Sequence, residues 1–157
     1  MPRVELATRI EAPRERVFDL ARSIDLHAQG QVRYRERAIS GVTSGLIGPG
    51  QSVTWEARHF GITQRFTSRV VAFDRPRSFR DSMVSGPFLR FDHDHIFETD
   101  DAATRMVDIF DFTSPLGALG ALADRLFLAR YMKRLVEERA RSIKRAAESD
   151  AWKALLR

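Results

Sequence analysis

Apolar and polar positions alternate at the start of the chain. Val4, Leu6, Thr8 and Ile10 share one face, with Glu5, Arg9 and Glu11 on the other, the period-two pattern of a half-buried strand. The period then changes. Pro13 suits a first helical position, where its missing N–H would be unpaired anyway. Val17, Phe18 and Ala21 follow at helical spacing, which predicts a short helix to about Arg22. A second short turn is expected over Asp25–Gln29, ending at Gly30. From about Val32 to Ser114 the chain reads as strands, punctuated by Gly45 to Gly50, Gly61, Asp74-Arg75-Pro76, Gly86-Pro87 and Asp100-Asp101. That spacing predicts a consecutive antiparallel meander rather than βαβ units. After Pro115 and Gly117 one long helix is expected over about 118–148. Leu119, Leu122, Leu126, Ala129, Met132, Val136, Ala140, Ile143 and Ala147 recur there at three- and four-residue steps, widened by Leu128, Tyr131 and Leu135. Residues 149–157 read as a tail in which Trp152, Leu155 and Leu156 are available for docking.

The element order is therefore one strand, two short helices, a run of about six strands and a long helix, an α+β arrangement. A long amphipathic helix needs a partner for its stripe, and a curved antiparallel sheet with one apolar face supplies it. A straight cylinder does not match a curved sheet everywhere, so a hollow is expected between them. Two hairpins indicate what lines it. If Asp101-Ala102 is a two-residue loop, Phe97 faces Met106, His95 faces Asp108, His93 faces Phe110 and Phe91 faces Phe112. One face then carries all the aromatic and histidine positions, and a slip of one residue would destroy that agreement. If Phe60-Gly61 is the second loop, Trp55, Ala57, His59, Gln64, Phe66, Ser68 and Val70 join the inner face, and Glu56 meets Arg65 outside. The Gly86-Pro87 turn leaves two alternatives open: Arg80, Ser82 and Val84 point inward, or Phe79, Asp81 and Met83 do.

Composition adds limits. The chain has 157 residues, 43% hydrophobic and 30% charged, which fits one globular domain and not a disordered chain. There is no cysteine, which excludes disulfides, thiolate metal sites and cysteine nucleophiles together. No apolar run approaches the ~20 residues that span a bilayer, and the N-terminus has no signal-peptide core, so a cytoplasmic protein without stable membrane insertion is expected. The formal net charge is +5, a balance that favours nucleic acid only if the charge is clustered. The arginines are instead scattered among carboxylates. Arg33, Arg35 and Arg37 form the densest stripe, read as a solvated strand face, and no base-stacking motif accompanies it. A docking role for Leu116–Tyr131 at a membrane is set aside because a helix covering the sheet has no spare face.

The inner surface defines the candidate site: Trp55, His59, Gln64, Phe66, Phe91, His93, His95, Phe97, Met106, Asp108 and Phe110. Apolar walls with a few polar groups are the usual makeup of a small-molecule pocket. His95 and Asp108 are the sharpest constellation, since a carboxylate fixes an imidazole's tautomer and tunes its basicity. Such a pair serves as general acid or base, or simply as a hydrogen-bonded polar pair closing one end of the core. His93-x-His95 places two imidazoles on one strand face, but no further ligand has diagnostic metal spacing, so neither a metal nor a cofactor is expected. Gly45, Gly48 and Gly50 fit no phosphate-loop spacing, and there is no Gly-x-Ser-x-Gly elbow.

The opening strand followed by Ala12-Pro13-Arg14-Glu15-Arg16-Val17-Phe18-Asp19-Leu20 resembles the START/polyketide-cyclase-like (SRPBCC) superfamily. So do Arg58-His59-Phe60-Gly61, Phe73-Asp74-Arg75-Pro76-Arg77-Ser78-Phe79, Ser85-Gly86-Pro87-Phe88, His93-Asp94-His95-Ile96-Phe97-Glu98 and Thr104-Arg105-Met106-Val107-Asp108. The likeness covers residues 1–148 and is strongest to small stand-alone bacterial cyclase/dehydrase-like members. It implies a helix-grip fold, in which a seven-stranded antiparallel sheet grips the C-terminal helix around a hydrophobic cavity. It also implies one ligand-binding domain over residues 1–148 with a tail over 149–157. The function expected is binding of a lipid or other hydrophobic small molecule, by a monomer or homodimer that binds no nucleic acid. The alternative is a cyclase or dehydratase using His95–Asp108 as acid and base. The resemblance transfers no catalytic residue, because such members differ in their cavity residues.

Overall fold

The computed structural model describes residues 3–115 and 117–157, without the side chains of residues 124 and 125; Leu116 lies outside the described residues. Strand β1 (Arg3–Ile10) leads into α1 (Arg14–Ala21) and α2 (Ile24–Gly30), followed by a 3-10 turn at Val32–Tyr34. Six strands follow: β2 (Arg37–Gly41), β3 (Ser52–His59), β4 (Ile62–Asp74), β5 (Ser78–Ser85), β6 (Arg90–Asp100) and β7 (Ala103–Thr113). Helices α3 (Gly117–Ala123), α4 (Ala129–Ala147) and α5 (Ala151–Leu155) close the chain, with a π-turn at Asp124–Leu128 between α3 and α4. The strands form one antiparallel sheet in the order β1-β7-β6-β5-β4-β3-β2, the meander that the turn spacing predicts.

Both expected hairpin registers are present. His95 pairs with Asp108 and Phe97 with Met106 across β6–β7. Trp55 pairs with Phe66 and Ala57 with Gln64 across β3–β4. The Phe60-Gly61 loop has φ of 54° and 73° at its two residues, the left-handed pair of a two-residue hairpin turn. The open alternative on β5 resolves with Phe79, Asp81 and Met83 inward, because Phe79 pairs with His95 and Asp81 with His93.

Helix α1 buries Val17, Phe18, Leu20 and Ala21. Ser23 caps α2, its hydroxyl accepting from the Leu26 N–H at 3.2 Å, which satisfies one of the orphan donors at a helix start. Helix α4 buries Val136, Ala140, Ile143 and Ala147. In α5, Trp152 packs on the core with Leu155 and Leu156, and the Arg16 guanidinium lies 4.0 Å over its ring. The outer face of the sheet absorbs much of the arginine: Arg80 grips Asp94 through two bonds of 2.6 and 2.7 Å, and Glu56 receives Arg37 and Arg65.

Three expectations are corrected. Arg33 and Arg35 do not continue a strand stripe into Arg37: Arg33 lies in the 3-10 turn and Arg35 is left-handed at φ 53°. The long helix is not continuous. An i→i+5 turn inserts one residue and rotates the preceding helix by about 100°, so Gly120 is the buried residue of α3. Leu119, Leu122 and Leu126, expected in the stripe, are 77%, 55% and 67% exposed. The C-terminal helical region therefore does have a spare apolar face.

Candidate functional site

A cavity of about 340 Å³ lies between the inner face of β3–β6, the first half of α4 and the segment from Ala21 to Glu36. Of the residues expected to line it, Trp55, His59, Gln64, Phe66, Phe91, His93 and His95 do. Phe97, Met106, Asp108 and Phe110 are not in its wall. Phe18 of α1 plugs that end of the groove, 5.2 Å from the Phe97 ring and 5.3 Å from Phe79, and Phe97 and Met106 pack with it in the core beyond the cavity. Phe110 is fully buried against Phe91, Phe112 and Val136.

Asp108 sits behind the wall and organises it. Strands β5, β6 and β7 place Asp81, His93, His95 and Asp108 side by side, and α4 brings Arg139 over them. Asp108 and His95 are nearly inaccessible and lie 3.4 Å apart, Oδ1 to Nδ1. Their tighter bonds run elsewhere. His93 donates Nε2–H to Asp108 Oδ1 at 2.9 Å, and His95 donates Nε2–H to Asp81 Oδ1 at 2.6 Å. The two imidazoles stack at 3.7 Å, and Phe79 stacks on His95 at 4.1 Å. Arg139 gives Nη2–H to the Ala21 carbonyl at 2.6 Å and places Nη1 at 3.4 Å from His95 Nδ1 and 3.7 Å from Asp108 Oδ1.

The charge states follow from this packing. Burial, the largest influence on Asp108, pushes its carboxyl up. The hydrogen bonds and charges of His93 and His95 outweigh burial and hold the group well below the usual carboxylate range. Asp81 is likewise raised by burial but brought down to about 2 by the His95 hydrogen bond and by the His95, His93 and Arg139 charges. His93 is pushed down to about 4, first by burial and then by His95, against the pull of Asp108 and Asp81. The cluster thus holds ionised carboxylates beside a neutral His93 at neutral pH. Among the described residues, Asp81, His93 and His95 also present one ligand atom each within 4.8 Å of one another, an arrangement in which Asp81 Oδ1 and His95 Nε2 are already joined by a direct hydrogen bond.

A second polar group sits nearer the rim. The Tyr131 hydroxyl donates to His59 Nδ1 at 2.7 Å. Burial pushes that hydroxyl up to about 12 and shifts His59 downward, so both remain neutral. Phe60 stacks obliquely on Tyr131 at 4.6 Å and on Phe127 at 5.6 Å, and it is half exposed. Trp55 presents only part of its ring to the cavity, because His27 stacks on it at 4.3 Å while bonding Glu36 at 2.6 Å.

Sequence reasoning missed Arg139 and left Asp81 open. The signal for Arg139 was present: it lies three residues after Val136 and four before Ile143, on the buried stripe of α4. An arginine at such a position needs a buried carboxylate, and Asp108 was the available one.

An open antiparallel sheet wrapped on a C-terminal helix, with a cavity between them, defines the helix-grip class. Within that class the chain belongs to the polyketide cyclase/dehydrase and lipid transport family, whose model matches residues 1–148. The structure is similar to TTHA0849 from Thermus thermophilus, with a TM-score of 0.75 and 21% identity over 93% of this chain and 97% of that one. It is also similar to major latex-like protein 151 from Panax ginseng (0.69, 13%, covering 94% and 98%). A third likeness is to the Zhui aromatase/cyclase from Streptomyces sp. R1128 (0.60, 19%, covering 89% and 94%). At these identities the structural likeness establishes the fold. No curated protein matches the sequence. Among the described residues no helix is long and apolar enough to cross a membrane.

Proposed function

We propose that the protein binds a lipid or other hydrophobic small molecule in the cavity between sheet and helix. One observation carries this reading: the cavity has mostly apolar and aromatic walls with polar groups gathered at a few places, foremost the Asp81–His93–His95–Arg139 cluster at one end, the pattern of a site that takes affinity from burial and orientation from a few polar groups. Trp55, Phe66, Phe91 and Leu135 supply the walls, and Asp81, His93, His95 and Arg139 form the end. Burying ~200–300 Å² of apolar ligand surface contributes roughly 5–8 kcal/mol before association costs. The membership of a family described by both cyclase/dehydrase and lipid transport agrees with such a cavity.

The test is titration with the neutral apolar fluorophore N-phenyl-1-naphthylamine. Saturable one-to-one enhancement is expected for the wild type, and its loss in Ala57→Trp, which fills the cavity from β3. Absence of saturable binding, or unchanged affinity in the filled variant, overturns the reading.

A second reading, cyclase or dehydratase chemistry, is favoured by the imidazoles held between carboxylates at the cavity's end. Its expected pair, His95 and Asp108, is hidden behind the wall on the Asp108 side, and both His95 nitrogens are engaged within the cluster. His95→Ala separates the two readings: a binder keeps affinity within a few-fold, whereas an enzyme loses turnover.

A further inference from the structure

The hydrogen-bonding capacity of the deep end is unbalanced. Each N–H that the two histidines carry there is already given away: His93 Nε2–H to Asp108 and His95 Nε2–H to Asp81. Arg139 is turned to the Ala21 carbonyl, His95 Nδ1 and Asp108. Arg22, the other guanidinium in the wall, is bound to Asp19 and to the Ile47 carbonyl. What remains is acceptor capacity. Asp81 uses Oδ1 for His95, while its Oδ2 receives no hydrogen bond among the described residues and its side chain keeps 21% exposure, at the cavity wall. His93, with its proton on Nε2, keeps a bare lone pair on Nδ1. Asp81 and Asp108 also share one nearby guanidinium, Arg139.

From this inventory we infer that the ligand's buried polar end is a hydrogen-bond donor, an alcohol, phenol or amine, received by Asp81, and not a carboxylate or phosphate. The inference rests on the proposed binding function and names the ligand class it selects. An anionic head placed against Asp81 would meet like charge, with Arg139 and Arg22 already paired elsewhere. A hydroxyl or ammonium would fill the open acceptor directly, as a charge-assisted bond.

Three probes with one tail and different heads test this: decanoic acid, 1-decanol and decylamine, titrated calorimetrically into the protein at about pH 7.5. The alcohol and the amine are expected to bind at least about tenfold more tightly than the acid, since like-charge juxtaposition in a buried site is worth more than one decade. Asp81→Asn keeps the shape and removes the charge. It is expected to cost the amine about tenfold, to change the alcohol little, and to narrow the gap between alcohol and acid to about threefold. The wild-type ranking stands on its own should that variant fold poorly. Decanoate binding as tightly as decanol overturns the inference and makes Arg139 the head-group anchor. An unchanged amine affinity together with an unchanged alcohol-to-acid gap in Asp81→Asn overturns the assignment to Asp81. If none of the three probes binds, the proposed function itself falls, and this inference with it.

Discussion

His93 is the group whose titration most directly reports the buried cluster. Its ordinary value is 6.5, and in the fold it lies at about 4 because burial disfavours the imidazolium. Below 6.5 the unfolded chain takes up a proton at this residue and the folded chain does not, so folding stability falls as the pH drops from 6.5 toward 4. Above 6.5 both states are neutral and the residue contributes no pH dependence. Each unit of separation is worth a little over 1 kcal/mol, so the loss is on the order of 1 kcal/mol at pH 5.5 and approaches about 3 kcal/mol near pH 4. The groups around the ring are Asp108 on β7, Asp81 on β5, His95 on β6 and Arg139 on α4. His59 also shifts downward, so the residue-specific part is the difference between wild type and His93→Gln, whose amide still donates to Asp108. Urea unfolding followed by tryptophan fluorescence at several pH values between 7.5 and 4.5 supplies both curves. Wild type is expected to lose about 2–3 kcal/mol more than the variant over that interval. Parallel curves would refute the argument that burial keeps His93 neutral.

Two further perturbations act on other parts of the same site. Arg139→Met strips the buried Asp108 of its nearest guanidinium and frees the Ala21 carbonyl; a loss of about 3 kcal/mol is expected by urea unfolding, and a loss under 1 kcal/mol would show that the guanidinium is not needed there. Phe60 holds a left-handed φ of 54° that a bulky side chain adopts only under strain, while its ring covers Tyr131 at the rim. Phe60→Asn is therefore expected to raise stability by about 1 kcal/mol and to speed probe release in stopped-flow fluorescence; slower release would contradict the rim assignment.

The fold was legible because two independent patterns agreed on it. The alternation in residues 91–97 and 106–112 made sense in only one register, and the observed pairing is that register. The β5 face was not legible, since hairpin register transmits a face only when the loop length is known, and the Gly86-Pro87 loop spans more than two residues between Ser85 and Arg90. Asp81, the cavity-facing carboxylate, was left open for that reason. Asp108 was placed on the correct face, yet facing inward does not mean reaching the cavity: Phe18, Phe97 and Phe110 fill the groove around it. The exposed leucines of α3 were misread because one inserted residue in a π-turn rotates every position before it, and apolar periodicity carries no sign of that insertion.

A buried network of this kind is weak evidence for stability. Bringing ionised carboxylates and a guanidinium out of water costs several kcal/mol per ion, and replacing such a network with apolar residues of similar volume is often neutral or stabilising. The sheet around it has apolar alternatives at every neighbouring position, with Phe79, Phe91, Phe97 and Phe110 surrounding the histidines. If the cluster merely closed the core, the combined replacement Asp81→Leu, His93→Phe, His95→Leu, Asp108→Leu and Arg139→Met should leave a folded protein with its behaviour toward small molecules intact. If the cluster instead reads the ligand's polar end, the same variant should fold with stability equal to or about 1–4 kcal/mol above wild type while binding decanol no better than decane. Unfolding measured alongside the decanol and decane titrations decides between these outcomes, and a stable variant that still prefers decanol would remove the cluster from recognition.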